Sequence, residues 1–264
     1  MNKSIPVMGV PIVNGFEWLE KLFNSIDYPV ENFLIVDNSG GDKKLETQIK
    51  ELISQPQPYL KNIKVINFPS NMGVSFAWNF IIKSYFMSPY WIISSHDVSF
   101  PPGLLKEIAE TAEDKEVAMI HPFKGEYGKG SFDLFIITEK AVQEVGLFDE
   151  NLYPAYGEDL DYLMRLENVP LKTIKGLSQC HFHGLDRADG DYFKNGRQTE
   201  KLSTEIVYDK FRKANLLNFE YFDIKWGKGW RTFTPHWNPF QNGNFPNSYT
   251  TWDLKFIREK YLGF

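Results

Sequence analysis

A single cysteine, Cys180, occurs in 264 residues, which excludes an internal disulfide and any multi-cysteine zinc site. No apolar run approaches the roughly 20 residues needed to cross a bilayer. The opening MNKSIPVMGVPIV runs directly into a strand-like segment containing Pro6 and Pro11 and is not read as a signal peptide. Basic excess is absent as well: 29 Lys and Arg face 34 Asp and Glu, for a net charge of −5. Binding of nucleic acid through a broadly basic surface is therefore disfavoured. The turn after the first strand, Pro11 to Gly15, lacks both GxGxxG and GxxxxGKS, and the chain has neither a GxSxG elbow nor HExxH. Dinucleotide-binding, P-loop, α/β-hydrolase and zincin readings thereby lose their main support. The expectation is a soluble, cytoplasmic protein of a reducing compartment.

What is present suffices for a core: 42% of residues are hydrophobic and 24% charged. Strand-like Ile5–Val10, Phe33–Val36, Ile63–Phe68 and Tyr90–Ser94 alternate with segments of helical spacing at Phe16–Ile26, Lys43–Ile53 and Val74–Phe86. Short apolar strands alternating with helices predict right-handed βαβ units in a doubly wound α/β sheet. Further helices are predicted over Gly103–Glu113, Glu139–Val145 and from Glu158 to near Pro170, and further strands at Val117–His121, Phe132–Thr138, Lys172–Lys175 and Ser178–Phe182. In such sheets ligands bind beyond the carboxyl ends of the strands. The four leading strands all end in polar or turn-forming residues: Pro11 and Asn14, Asp37 and Asn38, Asn71 and Gly73, then Ser95, His96 and Asp97.

Three constellations could carry chemistry. Asp97, at the end of a buried strand, either caps the turn before Pro101-Pro102-Gly103 or holds a divalent cation against a diphosphate. His181 and His183 share one strand face and could supply a metal ligand or a phosphate donor. Gly157-Glu158-Asp159-Leu160-Asp161 opens a helix, where acids suit the macrodipole and Asp161 can pair with Arg165; one of these carboxylates could equally act as a general base. From Lys201 onward 16 of 64 residues are aromatic, and ten Lys or Arg outnumber six Asp or Glu. This region opens with a helix-like stretch, Lys201 to Leu217. The chain is accordingly divided into a domain over 1–200 and an extension over 201–264, expected to pack on the core, cover an acceptor site or form an oligomer contact.

The order of these blocks resembles the inverting, family-two glycosyltransferases of the GT-A fold, and in particular their rhamnosyltransferase-like branch. The resemblance runs from about Ile5 to Gly184 and rests on Val36-Asp37-Asn38-Ser39, the block from Asn71 to Asn79, His96-Asp97-Val98, the block from Gly146 to Tyr153, and Glu158-Asp159-Leu160-Asp161. It implies a mostly parallel, Rossmann-like sheet flanked by helices, and a nucleotide-diphosphate sugar donor, UDP before dTDP. Pro11 and Val13 would line the nucleotide pocket, and Asp37 would accept the ring N–H of a pyrimidine. Asn38, Asn71, Gly73, Asn79, Ser95 and His96 would complete the nucleotide site. Asp97 would bind Mn²⁺ or Mg²⁺ with His181 or His183, and Asp159 would be the catalytic base. Glu158, Tyr156 and Trp78 would border the sugar and acceptor.

Two departures accompany it. Ser95-His96-Asp97 lacks the first acid of the family's DxD motif, and apolar or aromatic residues such as Trp78 replace a basic residue within the Asn71–Asn79 block. The acceptor implied is a glycan, a glycoprotein or a lipid-linked sugar, the last met at a membrane surface. A catalytically silent nucleotide- or carbohydrate-binding module and a nucleotidyltransferase are the alternatives.

Overall fold

The computed structural model describes residues 4–122, 132–177 and 217–227. Among the described residues seven strands form one sheet: β1 (Ile5–Ile12), β2 (Val30–Asp37), β3 (Leu60–Asn67), β4 (Tyr90–Ser94), β5 (Val117–His121), β6 (Leu134–Thr138) and β7 (Lys172–Lys175). Their spatial order is β3-β2-β1-β4-β6-β5-β7. Strand β1 pairs in parallel with both β2 and β4, and β2 in parallel with β3. Only β6 is reversed, antiparallel to β4 and to β5, while β5 and β7 run parallel. The order therefore switches direction between β1 and β4, which opens a crevice beyond their carboxyl ends.

Among the described residues the faces are covered by helices α1 (Phe16–Asn24), α2 (Lys43–Ile53), α3 (Val74–Ser84), α4 (Leu104–Thr111), α5 (Glu139–Val145) and α6 (Glu158–Glu167). Alternation along the strands decides which face each residue serves. Met8, Val10, Phe33, Ile35 and Ile92 join a core with α1, α2 and α4. Val7, Leu34, Val36, Trp91 and Ile93 pack on the opposite face with α3, α5 and α6. Each fully buried side chain of this kind contributes roughly 1.5–3 kcal/mol. Helix α2 starts where the Asp42 carboxylate accepts the amides of Lys44 and Leu45 at 2.9 and 3.2 Å, a cap worth about 1 kcal/mol.

A further helix over 217–226, called α7, comes from the aromatic-rich extension. Its Tyr221, Phe222 and Trp226 are buried against Leu152 and Met164. The predicted strand at Ser178–Phe182, the predicted helical stretch up to Leu216, and His181 and His183 lie outside the described residues. Among the described residues no helix is long and apolar enough to cross a membrane.

Candidate functional site

Beyond β1 and β2, backbone pairing itself brings the strand-end residues together. Ile12 is in register with Asp37, whose carbonyl accepts the Phe68 amide at 2.9 Å, and the Asn38 amide donates to Ile12 at 2.8 Å. Pro11 lies past the last β1–β4 pair, Gly9 with Ile93, so its missing N–H is not needed there. Val13 follows with 36% exposure. Asp37 is fully buried; Oδ1 accepts the Ser39 amide at 2.9 Å, and Oδ2 is enclosed with no partner. A buried carboxylate oxygen without a donor is costly unless something supplies one.

Asn38 ties this end to the next loop. Its Nδ2 donates to Asn71 Oδ1 at 3.1 Å and to the Gly73 carbonyl at 3.2 Å, and its Oδ1 accepts the Met72 amide at 2.7 Å. Asn71 Oδ1 also accepts the Gly73 amide at 2.8 Å. Gly73 has φ +88°, and a Cβ there would lie 2.9 Å from the Tyr153 ring, so both conformation and space select glycine.

At the end of β4 the Ser95 amide donates to Asp133 at 2.6 Å, which turns the chain toward His96 and Asp97. Among the described residues, His96 Nε2 and Asp97 Oδ1 are buried with no hydrogen-bond partner. Burial pushes the His96 imidazole down toward its neutral form, against the opposing pull of Asp97 and Glu17. The turn-capping role weighed for Asp97 falls to Asp27 instead, whose Oδ2 accepts the Gly103 amide at 2.7 Å. Among the described residues no group of three His, Cys, Asp or Glu could hold a metal ion. One carboxylate with an enclosed, unpartnered oxygen nevertheless fits Mg²⁺ or Mn²⁺, which take one or two protein carboxylates and fill the remaining positions with phosphate oxygens and water.

The third wall is the 146–161 segment. Tyr153 Oη donates to the Asn71 carbonyl at 2.9 Å, and the Val74 amide donates to the Pro154 carbonyl at 2.8 Å, so this segment is bonded to the loop before α3. Tyr156 and Gly157 then both take left-handed backbone, φ +76° and +102°, before α6 begins. Of the three acids in the first turn of α6, only Asp159 is exposed; its Oδ1 accepts the Leu160 amide at 2.7 Å. Glu158 is 7% exposed, and its carboxyl is pushed up to about 8 by burial and by Asp159, with the Glu158 and Tyr156 amides offsetting part of the rise. Asp161 is fully buried. Burial alone would raise it, but Lys225 and Arg165 more than compensate and hold it below the usual carboxylate range.

The sequence reading is corrected at several points. Asn79, expected at the nucleotide, is fully buried: it donates to Phe148 O and Glu150 Oε1 at 2.8 Å and accepts the Phe148 amide at 2.9 Å. Trp78, expected at the acceptor, is a core residue packed on Phe135 and Phe148 at 4.9 and 4.8 Å between ring centroids. Glu158 is enclosed rather than presented to an acceptor, whereas Tyr156 is 41% exposed. The expected Asp161–Arg165 pair is present at 2.9 Å, but it is buried, because α7 covers that side of α6.

Missing from the sequence reading is the anchorage of this wall by α7. Lys225 Nζ bridges Asp149 and Asp161 at 2.7 and 2.6 Å with all three side chains fully buried. Tyr221 Oη donates to Asp149 at 2.6 Å, Trp226 Nε1 to Asp161 at 2.9 Å, and Asn218 Nδ2 to the Ala155 and Tyr156 carbonyls at 2.9 Å each. The available signal is an imbalance: Phe148-Asp149-Glu150-Asn151 and Glu158–Asp161 are acid-rich, and the basic extension carries the cation.

Comparison with known proteins agrees with this geometry. Residues 9–159 match the profile of "Glycosyl transferase family 2". A Leishmania donovani "Galactofuranosyl glycosyltransferase" is 24% identical over 296 residues, covering 84% of this chain and 67% of that protein. Residues 1–349 of S. aureus TarS superpose with a TM-score of 0.52 at 17% identity, covering 86% of this chain and 74% of the other. GalNAc-T7, solved with UDP, GalNAc and Mn²⁺, superposes with a TM-score of 0.52 at 14% identity, covering 70% of this chain and 45% of the other. The two structural neighbours share the GT-A-like arrangement of sheet and helices. Since the matched profile takes in more than half of the chain, from β1 to the first turn of α6, the protein belongs to glycosyl transferase family 2.

Proposed function

We propose that the protein moves a sugar from a nucleotide-diphosphate donor, UDP-linked before dTDP-linked, to an acceptor hydroxyl with inversion at the anomeric carbon. The observation that carries this reading is the hydrogen-bonded continuity from Asn38 through Asn71 and Tyr153 to the turn that presents Asp159. It joins the loops read as holding the donor to the segment that carries an exposed carboxylate, and this supports the reading.

In this reading Asp37 Oδ2 receives the ring N–H of a uracil or thymine, which supplies its missing donor. Pro11 and Val13 flank the base, and Asn38, Asn71 and Gly73 shape the wall beside the ribose. Ser95 and His96 meet the ribose or sugar, His96 as a neutral imidazole, and Tyr156 borders the acceptor. Asp97 holds Mn²⁺ or Mg²⁺, which when bound neutralises the charge that develops on the departing diphosphate. Asp159 takes the proton of the acceptor hydroxyl as its oxygen attacks the anomeric carbon and the bond to the diphosphate breaks on the opposite face. Support for the donor class comes from relatives: TarS has been solved with UDP, with a TM-score of 0.51 at 18% identity, and GalNAc-T7 with UDP and Mn²⁺. The Leishmania relative makes a UDP-linked galactofuranose the first sugar to try, with glycan, glycoprotein and lipid-linked acceptors.

The test is thermal unfolding with UDP, dTDP and GDP, with and without Mn²⁺, followed by transfer assays. A ligand that binds only the folded state raises its melting temperature. UDP with Mn²⁺ should give the largest shift, and the Mn²⁺-dependent part should vanish in Asp97→Ala. Asp159→Asn should keep the shift and lose about 100- to 10,000-fold in transfer rate. Unimpaired transfer by Asp159→Asn would remove the proposed base.

A further inference from the structure

Helix α7 lies outside the 9–159 segment that defines the family, yet its polar side chains converge on the backbone that carries Asp159. Tyr156 holds φ +76°, a conformation that a non-glycine residue keeps only where its surroundings enforce it. The enforcing contacts are visible. One amide group, Asn218 Nδ2, donates at 2.9 Å to the carbonyls on both sides of the Tyr156 amide linkage, those of Ala155 and Tyr156. Phe222 closes the next position: a Cβ on Gly157 would lie 2.8 Å from its ring. Below the turn, Lys225 and Trp226 fix Asp161, two residues beyond Asp159, while Lys225 and Tyr221 fix Asp149 at the start of the same segment.

We infer that α7 is the positioning element for the base, with Asn218 as its specific contact: the side chain sets the Ala155–Gly157 turn and so aims Asp159 at the acceptor hydroxyl. Asn218 itself touches neither donor nor acceptor in this scheme. The inference rests on Asp159 being the base. A base delivered from a helix terminus depends steeply on its approach, because misplacement of about 1 Å can cost 100-fold. The anchor for this aim comes from a part of the chain remote from every family motif.

The experiment is a graded series at one position in the full-length protein, read by kcat, donor KM and the nucleotide-induced thermal shift. Asn218→Ser keeps one donor, whereas Asn218→Ala and Asn218→Asp keep none for the two carbonyls. The expected result is a kcat that falls about 3- to 10-fold in Asn218→Ser and about 10- to 100-fold in the other two. Donor KM and the UDP–Mn²⁺ shift should stay within about twofold of wild type by the same argument. If Asn218→Ala fails to fold, Asn218→Ser decides by the same split. An unchanged kcat, or a kcat that falls only in step with nucleotide binding, overturns the positioning role while leaving the proposed function standing. Unimpaired transfer by Asp159→Asn overturns both.

Discussion

The loops proposed to hold the donor and the turn proposed to carry the base are bonded to each other but are held by contacts of very different reach. Asn38 bonds to residues 33 to 35 positions away, and Asp37 to Ser39, two positions on. These contacts connect the ends of neighbouring parallel strands, so forming the sheet brings them together. On the base side, Asn218, Tyr221, Lys225 and Trp226 reach partners 62 to 76 positions distant, and a buried cation is shared between two buried carboxylates. The first arrangement follows from the fold of the family; the second is added to it. The Asn38 network joins neutral groups, so losing one member costs less than losing one charge from a buried cluster whose members neutralise each other.

Three substitutions break or sharpen that contrast. The largest effect is expected for Lys225→Met, which removes the cation shared by buried Asp149 and Asp161 and leaves Asp161 with Arg165. Stability should fall by about 3–5 kcal/mol, measured by denaturant unfolding, and a loss below 1 kcal/mol would mean the carboxylates find another partner. Next comes Glu158→Gln. The folded-state pKa of Glu158 is raised to about 8, so the native state binds its proton more tightly than the unfolded chain between pH about 4.5 and 8. Stability attributable to this group is therefore full at low pH and is lost as pH rises through that window, by up to about 5 kcal/mol. The glutamine variant should lack this decline; parallel pH–stability curves for variant and wild type would disprove it. The smallest effect belongs to the donor side: Asn38→Ala should cost about 1–3 kcal/mol. It should also weaken UDP binding by calorimetry while leaving kcat near wild type, and a kcat loss larger than the affinity loss would erase the distinction between the two regions.

Much of this is legible in the sequence, for reasons that residues make plain. Helices α2 and α5 have the limits that the sequence predicts because amphipathic spacing coincides there with strong caps, Asp42 and Thr138. Strands β2 and β3 begin three residues earlier than predicted, since Glu31, Asn32, Lys61 and Asn62 interrupt the apolar pattern while remaining in register. Lys61 and Lys64 are the kind of charge that protects a sheet edge, and β3 is such an edge. The strand-end residues of β1, β2 and β4 can be found because ladder register places them together. The reversal of β6 is not encoded in its apolar Leu134–Ile137 run, which suits either direction. The burial of Asn79, Trp78 and Asp161 stays hidden because periodicity reports which face of a helix is apolar, not what polar partner lies beneath it. Nothing local marks Lys225 as the counter-charge for residues 64 and 76 positions earlier.

The shared cation also bears on where a self-sufficient fragment can end. A chain cut at residue 200 keeps every family motif, the whole sheet and Asp159, and so looks complete by motif content. It also keeps Asp149 and Asp161 in an interior shaped for Lys225, with no ammonium to receive them. The smallest unit that is electrically neutral at its centre therefore extends at least through Trp226, well past the point where recognisable sequence stops.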